Sequence, residues 1–305
     1  MQIFSGVGTT GILRISVAGY TTGGQQPGAT RNANKLAFPT AGTRTTLTTL
    51  LAVSRAFAGG ADNSGVAGYV CAGARNTVDK LDFATDTSAI VTAITLSGTV
   101  EGNSCFSNSG VAGYSAGGSG GGYQSFVDKI TYTTDTSAAL GTGLVGISGY
   151  NMSYSDYGVA GYTTGGENPT ALTTTSKFSF PSDTRSTGTA LLVQTLNGAG
   201  MSDSGTAGYV CGGNFGAVYY STFVKFSFPS DTRSVVTDTL TTGLAAPAAL
   251  ADVAVRGYVC GGSPTSGRTT RIDLLSFPTD VKSTSGETLA VANDGLNGLA
   301  NCGVF

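Results

Sequence analysis

Six copies of one seven-residue phrase dominate this chain: AGYTTGG from Ala18, AGYVCAG from Ala67, AGYSAGG from Ala112, AGYTTGG from Ala160, AGYVCGG from Ala207 and RGYVCGG from Arg256. Their tyrosines are Tyr20, Tyr69, Tyr114, Tyr162, Tyr209 and Tyr258, spaced 49, 45, 48, 47 and 49 residues apart. A period of this length belongs to stacked arrays and propellers, whose units bury their faces against one another.

The fifth repeat shows what one unit contains. Ala199 to Ser202 reads as a short strand, and Asp203-Ser204-Gly205 as a tight turn. Thr206 to Cys211 is a second strand, stopped by Gly212-Gly213; a loop follows from Asn214 to about Ser221. Thr222 to Phe228 alternates as a third strand, Pro229 to Thr232 turns the chain, and Arg233 to Leu240 is a fourth. Four antiparallel strands in each of six units predict an all-β, six-bladed propeller, an architecture that leaves only short, protected edges. The even repeat predicts one domain over 1–305, with blades near 1–52, 53–99, 100–145, 146–196, 197–244 and 245–305. The tail from Leu296 resembles the segment from Val100 to Ser107, with Asn301-Cys302 matching Ser104-Cys105. Residues 300–305 are therefore expected to complete the first blade and close the ring with both termini.

Other residues keep the same phase. The third strand carries Phe38, Phe83, Tyr132, Phe180, Phe228 or Phe277. A lysine stands three residues earlier in five units (Lys35, Lys80, Lys129, Lys177 and Lys225), with Leu274 in the sixth. An aspartate stands three residues later in five (Asp86, Asp135, Asp183, Asp231 and Asp280). Aspartate at a turn can hold local backbone N–H groups through its side-chain oxygen. Residues repeated in every unit point to architecture, since a single active site is not built six times.

Charged residues make up only 11% of the chain and the net charge is −2, which gives no electrostatic footprint for nucleic acid. No apolar run reaches the length of a membrane span. The opening MQIFSGVGTTGILRIS lacks the basic start and long apolar stretch of a secretory signal. Cys71, Cys211 and Cys260 share one phase, and Cys105 and Cys302 share another; buried free thiols in a reducing compartment are the expectation. Histidine is absent, which removes histidine-based triads and copper sites; no zinc cluster, phosphate loop or singled-out carboxylate pair is visible. No cofactor, resident metal or catalytic residue is expected.

The Gly pair ending a strand, the downstream aromatic strand and the Asp-Thr turn resemble kelch-type propellers over nearly the whole chain, although the usual fourth-strand tryptophan is absent. More closely, GYxxGG followed by DKxxF and a DT turn resembles the low-charge kelch-like repeats of bacteriophage structural proteins, notably those of cyanophages, and of some bacterial surface proteins. That resemblance implies a non-enzymatic virion protein of tail, fibre or capsid surface. Its expected partners are other virion proteins and a host-surface glycan or receptor. The alternative it implies is a bacterial extracellular adhesin or lectin-like propeller.

In such a blade the loops after the second and fourth strands share one face, and here they vary from blade to blade. They include Gln25 to Asn32, Ser119 to Ser125, Glu167 to Thr175, Asn214 to Ser221 and Ser263 to Arg271. Tyrosine-rich loops offer rigid amphipathic contact area. The candidate binding residues are Tyr123, Tyr150, Tyr154, Tyr157, Phe215, Tyr219, Tyr220, Arg268 and Arg271.

Overall fold

A computed structural model describes residues 17–38, 43–63, 65–108, 110–203 and 205–300. Every regular element among them is a strand, and the strands form six antiparallel sheets arranged as the blades of a propeller. Blade 2 is typical. Ala58–Asn63 lies innermost, followed outward by Ala67–Ala72, Val78–Asp82 and Thr87–Ile90. Blade 5 is the most extended, because its first two strands run from Leu196–Asp203 and Ala207–Phe215.

The ring closes through blade 1, whose innermost strand is Asp294–Ala300, paired from Gly19↔Ala300 to Gln25↔Asp294. This strand lies upstream of the one expected at 300–305, and residues 301–305 fall outside the described residues. The cysteine match misplaced the register. Gly298, not Cys302, takes the place of Cys105, and Leu299 that of Phe106: Leu299 pairs with Tyr20 and presses on Gly68 of blade 2 as Phe106 pairs with Tyr114 and presses on Gly161 of blade 4.

That contact explains the glycine before each tyrosine. A β-carbon at Gly161 would run into the Phe106 ring, one at Gly208 into Tyr154, and one at Gly257 into the Met201 sulfur. Each blade thus drives an inner-strand side chain into the groove of the next, where only glycine lets the backbone approach.

The tyrosine beside that glycine joins the same two blades. Tyr20, Tyr69, Tyr114, Tyr162 and Tyr209 stack on Phe83, Tyr132, Phe180, Phe228 and Phe277 of the following blade, with ring centroids 4.9–5.7 Å apart. Their hydroxyls donate to Asp86, Asp135, Asp183, Asp231 and Asp280 at 2.5–2.9 Å. Lys35, Lys80, Lys129, Lys177 and Lys225 reach the same carboxylates at 2.6–2.8 Å, each lying 5.2–5.5 Å over its tyrosine ring. The repeated aspartate is therefore an inter-blade latch more than a local turn cap. It also holds a left-handed backbone, with φ of 51–58° in all five copies, a conformation that aspartate tolerates better than most residues.

Cys71, Cys105, Cys211 and Cys260 are free and buried. Burial pushes the Cys211 thiol up to about 12, so it behaves as a small apolar side chain.

Candidate functional site

The face formed by the variable loops is organised around the central channel. Each inner strand has a residue in the left-handed region at or just before its start: Phe57, Gly102, Tyr150, Asn197, Ala246 and Gly295, with φ of 49–63°. Their peptide groups form a closed circuit. Gly102 N–H donates to Phe57 O at 2.7 Å, Tyr150 to Gly102 at 2.6 Å, and Asn197 to Tyr150 at 3.0 Å. Ala246 then donates to Asn197 at 2.6 Å, Gly295 to Ala246 at 2.9 Å, and Phe57 to Gly295 at 2.9 Å. The four non-glycine members each store about 1 kcal/mol of backbone strain. The circuit satisfies all six N–H groups at the mouth, where a blade standing alone would leave them bare.

Below this ring the channel is nearly full. Two cavities of about 70 Å³ each remain along it, one at the ring and one between the inner strands. A β-carbon at Gly200 would meet the Ser153 carbonyl, and one at Gly298 the Ala249 carbonyl. A second layer of contacts passes between inner strands through side-chain oxygens. Asp62 N–H donates to Ser107 Oγ at 2.8 Å, Ser107 N–H to Ser155 Oγ at 3.1 Å, and Ser155 N–H to Ser202 Oγ at 2.9 Å. Ala300 N–H donates to Asp62 Oδ2 at 3.1 Å, so Asp62 takes the serine position in blade 2. Asp62 is fully buried, its Oδ1 has no hydrogen-bond partner, and burial raises its pKa well above the usual carboxylate range. Small-molecule pockets are typically several hundred Å³, so this channel presents contact points and not a substrate chamber. Two larger hollows, of about 620 and 300 Å³, are grooves beside the outer strands, where blade 2 meets Asp135 and where blades 5 and 6 meet.

The richest side-chain grouping lies at the rim of the ring, across blades 2, 3 and 4. Phe57 meets Tyr150 edge-on with centroids 5.8 Å apart, and the Tyr150 hydroxyl donates to Glu101 at 2.7 Å. Glu101 bridges to Ser119, Ser119 to Tyr123, and Gly149 to Glu167, so three loops are tied together. Burial, then the hydrogen bond to Glu101, pushes the Tyr150 phenol up; burial, then Glu167, does the same at Tyr123. Two tyrosines, a phenylalanine and two carboxylates thus share one patch. The opposite side of the rim carries two ion pairs, Arg268 with Asp294 at 2.8 Å and Arg271 with Asp273 at 3.2 Å.

The remaining candidates are placed unevenly. Phe215 sits at the tip of a hairpin extension of blade 5 opposite Val218, both exposed, while Tyr219 and Tyr220 are half-buried at its base. Tyr154 is not on the loop face. It lies within the inner strand Met152–Asp156, buried and stacked on Tyr162 at 4.7 Å and Phe226 at 5.0 Å. Tyr157 is exposed but belongs to the hairpin turn between Asp156 and Ala160, on the opposite face. That face carries a feature missed in the sequence reading, an annulus of exposed valines (Val17, Val66, Val111 and Val159) at one turn position. Phe57, Glu101, Glu167 and Asp62 were also missed. The ring position is filled by Phe, Gly, Tyr, Asn and Ala, so no repeated letter announces it.

Among the described residues, no group of three His, Cys, Asp or Glu side chains is arranged to hold a metal ion, and no helix is long and apolar enough to cross a membrane. No family model matches the sequence, and no curated protein matches it. Among solved structures, one titled "Structure of YjhT" superposes with a TM-score of 0.65 at 14% identity, covering 83% of this chain and 91% of that one. Likeness at that identity shows the fold alone: this chain is an all-β, six-bladed propeller with four antiparallel strands per blade.

Proposed function

We propose that this propeller is a non-enzymatic binding module of a bacteriophage virion, displayed on tail, fibre or capsid surface. Its loop face contacts other virion proteins and a host-surface glycan or receptor. The observation that carries a binding role is the aromatic and acidic patch of Phe57, Tyr123, Tyr150, Glu101 and Glu167, beside a channel mouth stitched shut by main-chain bonds. Ligand contact falls to the loops, which differ between blades, while the repeated residues hold the ring together. The virion assignment rests on the likeness of the GYxxGG, DKxxF and DT pattern to phage structural repeats and on the low charge of the chain. Mass spectrometry of purified phage particles tests it: the protein is expected among the structural components. Its absence from particles, with a secretion operon as genetic context, would overturn the assignment.

The same patch favours a second reading, a lectin-like extracellular propeller, because aromatic faces with neighbouring carboxylates suit sugar rings and their hydroxyls. Glycan binding by the purified protein together with its absence from every particle would select this reading.

A further inference from the structure

Cys71 and Cys105 come from neighbouring blades and meet inside the core those blades share. Cys71 lies on the second strand of blade 2, Ala67–Ala72, and Cys105 on the inner strand of blade 3, Ser104–Asn108. Gly59 stands in register with Cys71 on the adjoining strand, and a β-carbon there would sit 2.5 Å from Cys105 Sγ. Directly opposed β-carbons lie about 4.5–5.5 Å apart, so the Cys105 sulfur fills the space of a missing side chain beside Cys71. The two thiols interact as hydrogen-bond partners. The repeat makes this meeting singular. The same two positions hold Thr22 with Gly60, Ala116 with Ser153, Thr164 with Gly200, Cys211 with Ala249 and Cys260 with Gly298 at the other junctions. Only between blades 2 and 3 do both carry sulfur, which leaves Cys211 and Cys260 as internal controls.

We infer that Cys71 and Cys105 are a modification site, a dithiol that an oxidant of the disulfide class closes into a covalent bridge between blades 2 and 3. One protein thiol loses its proton and attacks a sulfur of the oxidant, forming a mixed disulfide and releasing one thiolate. The second protein thiolate then attacks the first protein sulfur and displaces the other half. Two electrons pass from the protein sulfurs to the oxidant, whose halves leave as thiols carrying the two protons. Asn103 Nδ2 donates to Cys105 Sγ at 3.5 Å, which favours the anionic sulfur. Burial works against it and holds the Cys105 thiol well above its usual range. The closed, reduced ring therefore exchanges slowly, and the bridge forms as the blades come together. Once formed, it is as well shielded from reductants as the thiols are from oxidants. The inference does not rest on the virion assignment.

Synthesis of the full chain in two hosts, one with a reducing and one with an oxidising cytoplasm, tests the inference. Protein from each is quenched in acid, alkylated in denaturant and mapped by mass spectrometry without reduction. From the oxidising host the peptides of Cys71 and Cys105 are expected to be joined and lighter by two hydrogen atoms, with Cys211 and Cys260 alkylated. From the reducing host all four are expected to be alkylated. The bridged protein should melt about 5 °C higher, because tying residues 34 apart in sequence restricts the unfolded chain. Cys211→Ala should keep the bridge, and Cys71→Ala should leave Cys105 alkylated. Alkylated Cys71 and Cys105 from both hosts overturn the inference, as does a main product that joins either residue to Cys211, Cys260 or Cys302. A bridged protein that melts lower than the reduced one also overturns it, since that bond would be one the fold does not accommodate.

Discussion

The Tyr114 hydroxyl donates a 2.6 Å hydrogen bond to Asp183, a residue 69 positions later and one blade further around the ring. Lys129 completes the latch at 2.6 Å from the other carboxylate oxygen. A hydrogen bond to a charged acceptor contributes about 1.5–3 kcal/mol, while partly exposed ion pairs contribute about 1 kcal/mol or less. Tyr114→Phe should therefore lower stability by about 2 kcal/mol in denaturant melts, and Lys129→Ala by clearly less. Asp183→Ala should exceed both, because it strands the tyrosine hydroxyl and places alanine at φ 55°. A larger loss for Lys129→Ala than for Tyr114→Phe would show that the ion pair dominates.

The letters of this latch were plain in the sequence, since Tyr, Lys and Asp each recur at one phase, but their partnership was not. Asp183 read as a turn residue serving its own backbone because its partners come from the preceding blade, beyond any local pattern. The candidate site was less legible. Tyr154 looked like a loop tyrosine because it falls in the tyrosine-rich segment between blades, Gly149 to Tyr157, yet it fills the inner-strand position held by Phe106 and Met201 elsewhere. Glu101 and Glu167 stand 66 residues apart in sequence, and only the packing of neighbouring blades brings both beside Tyr150.

Ring closure makes its own demand on Leu299. This side chain is fully buried against blade 2, on a strand whose partner lies at the other end of the chain. Leu299→Ala should cost about 3 kcal/mol, the range for a buried leucine truncation. A loss below about 1 kcal/mol in urea melts would indicate that the strand Asp294–Ala300 contributes little to holding the ring.

Stability should also fall as pH rises through the weakly acidic range. Burial raises the folded pKa of Asp62 well above the usual value and that of Asp156 to about 6. Both carboxyls hold a proton in the folded chain that the unfolded chain releases near pH 4. Their contribution is complete below that pH and is lost on raising the pH, through about 6 for Asp156 and further for Asp62. Asp156→Asn should flatten the Tm profile between pH 4 and 6. Asp62→Asn should raise Tm at pH 8 more than at pH 4. A uniform shift at all pH values would rule out the titration.

The main-chain ring at the channel mouth should respond to side-chain shape and not to polarity. Ala246 sits at φ 49° and donates to Asn197. Ala246→Gly relieves the strained conformation against a greater loss of chain entropy, so the net change is expected within about 1 kcal/mol of zero. Ala246→Val places a β-branched residue where it is a genuine outlier and should lower the Tm by several degrees. Equal melts for the two variants would argue that the ring does not constrain this residue.

The loop face should carry attachment without carrying stability. Glu101→Gln with Glu167→Gln keeps the size of both side chains and removes the charge that Tyr150 and Tyr123 face. Phe215→Ser with Val218→Ser removes two exposed apolar residues from the hairpin tip of blade 5. Because all four positions are at least partly exposed, the melts should shift little. Binding to host cells or extracted surface glycan should weaken about tenfold for the pair that contacts the ligand, the effect of losing roughly 1.4 kcal/mol. A loss confined to the glutamate pair would place the ligand over the rim of blades 2 to 4, and a loss confined to the tip would place it over blade 5. Full binding by both double variants would remove the loop face from the account and turn attention to the valine annulus of Val17, Val66, Val111 and Val159 on the other side.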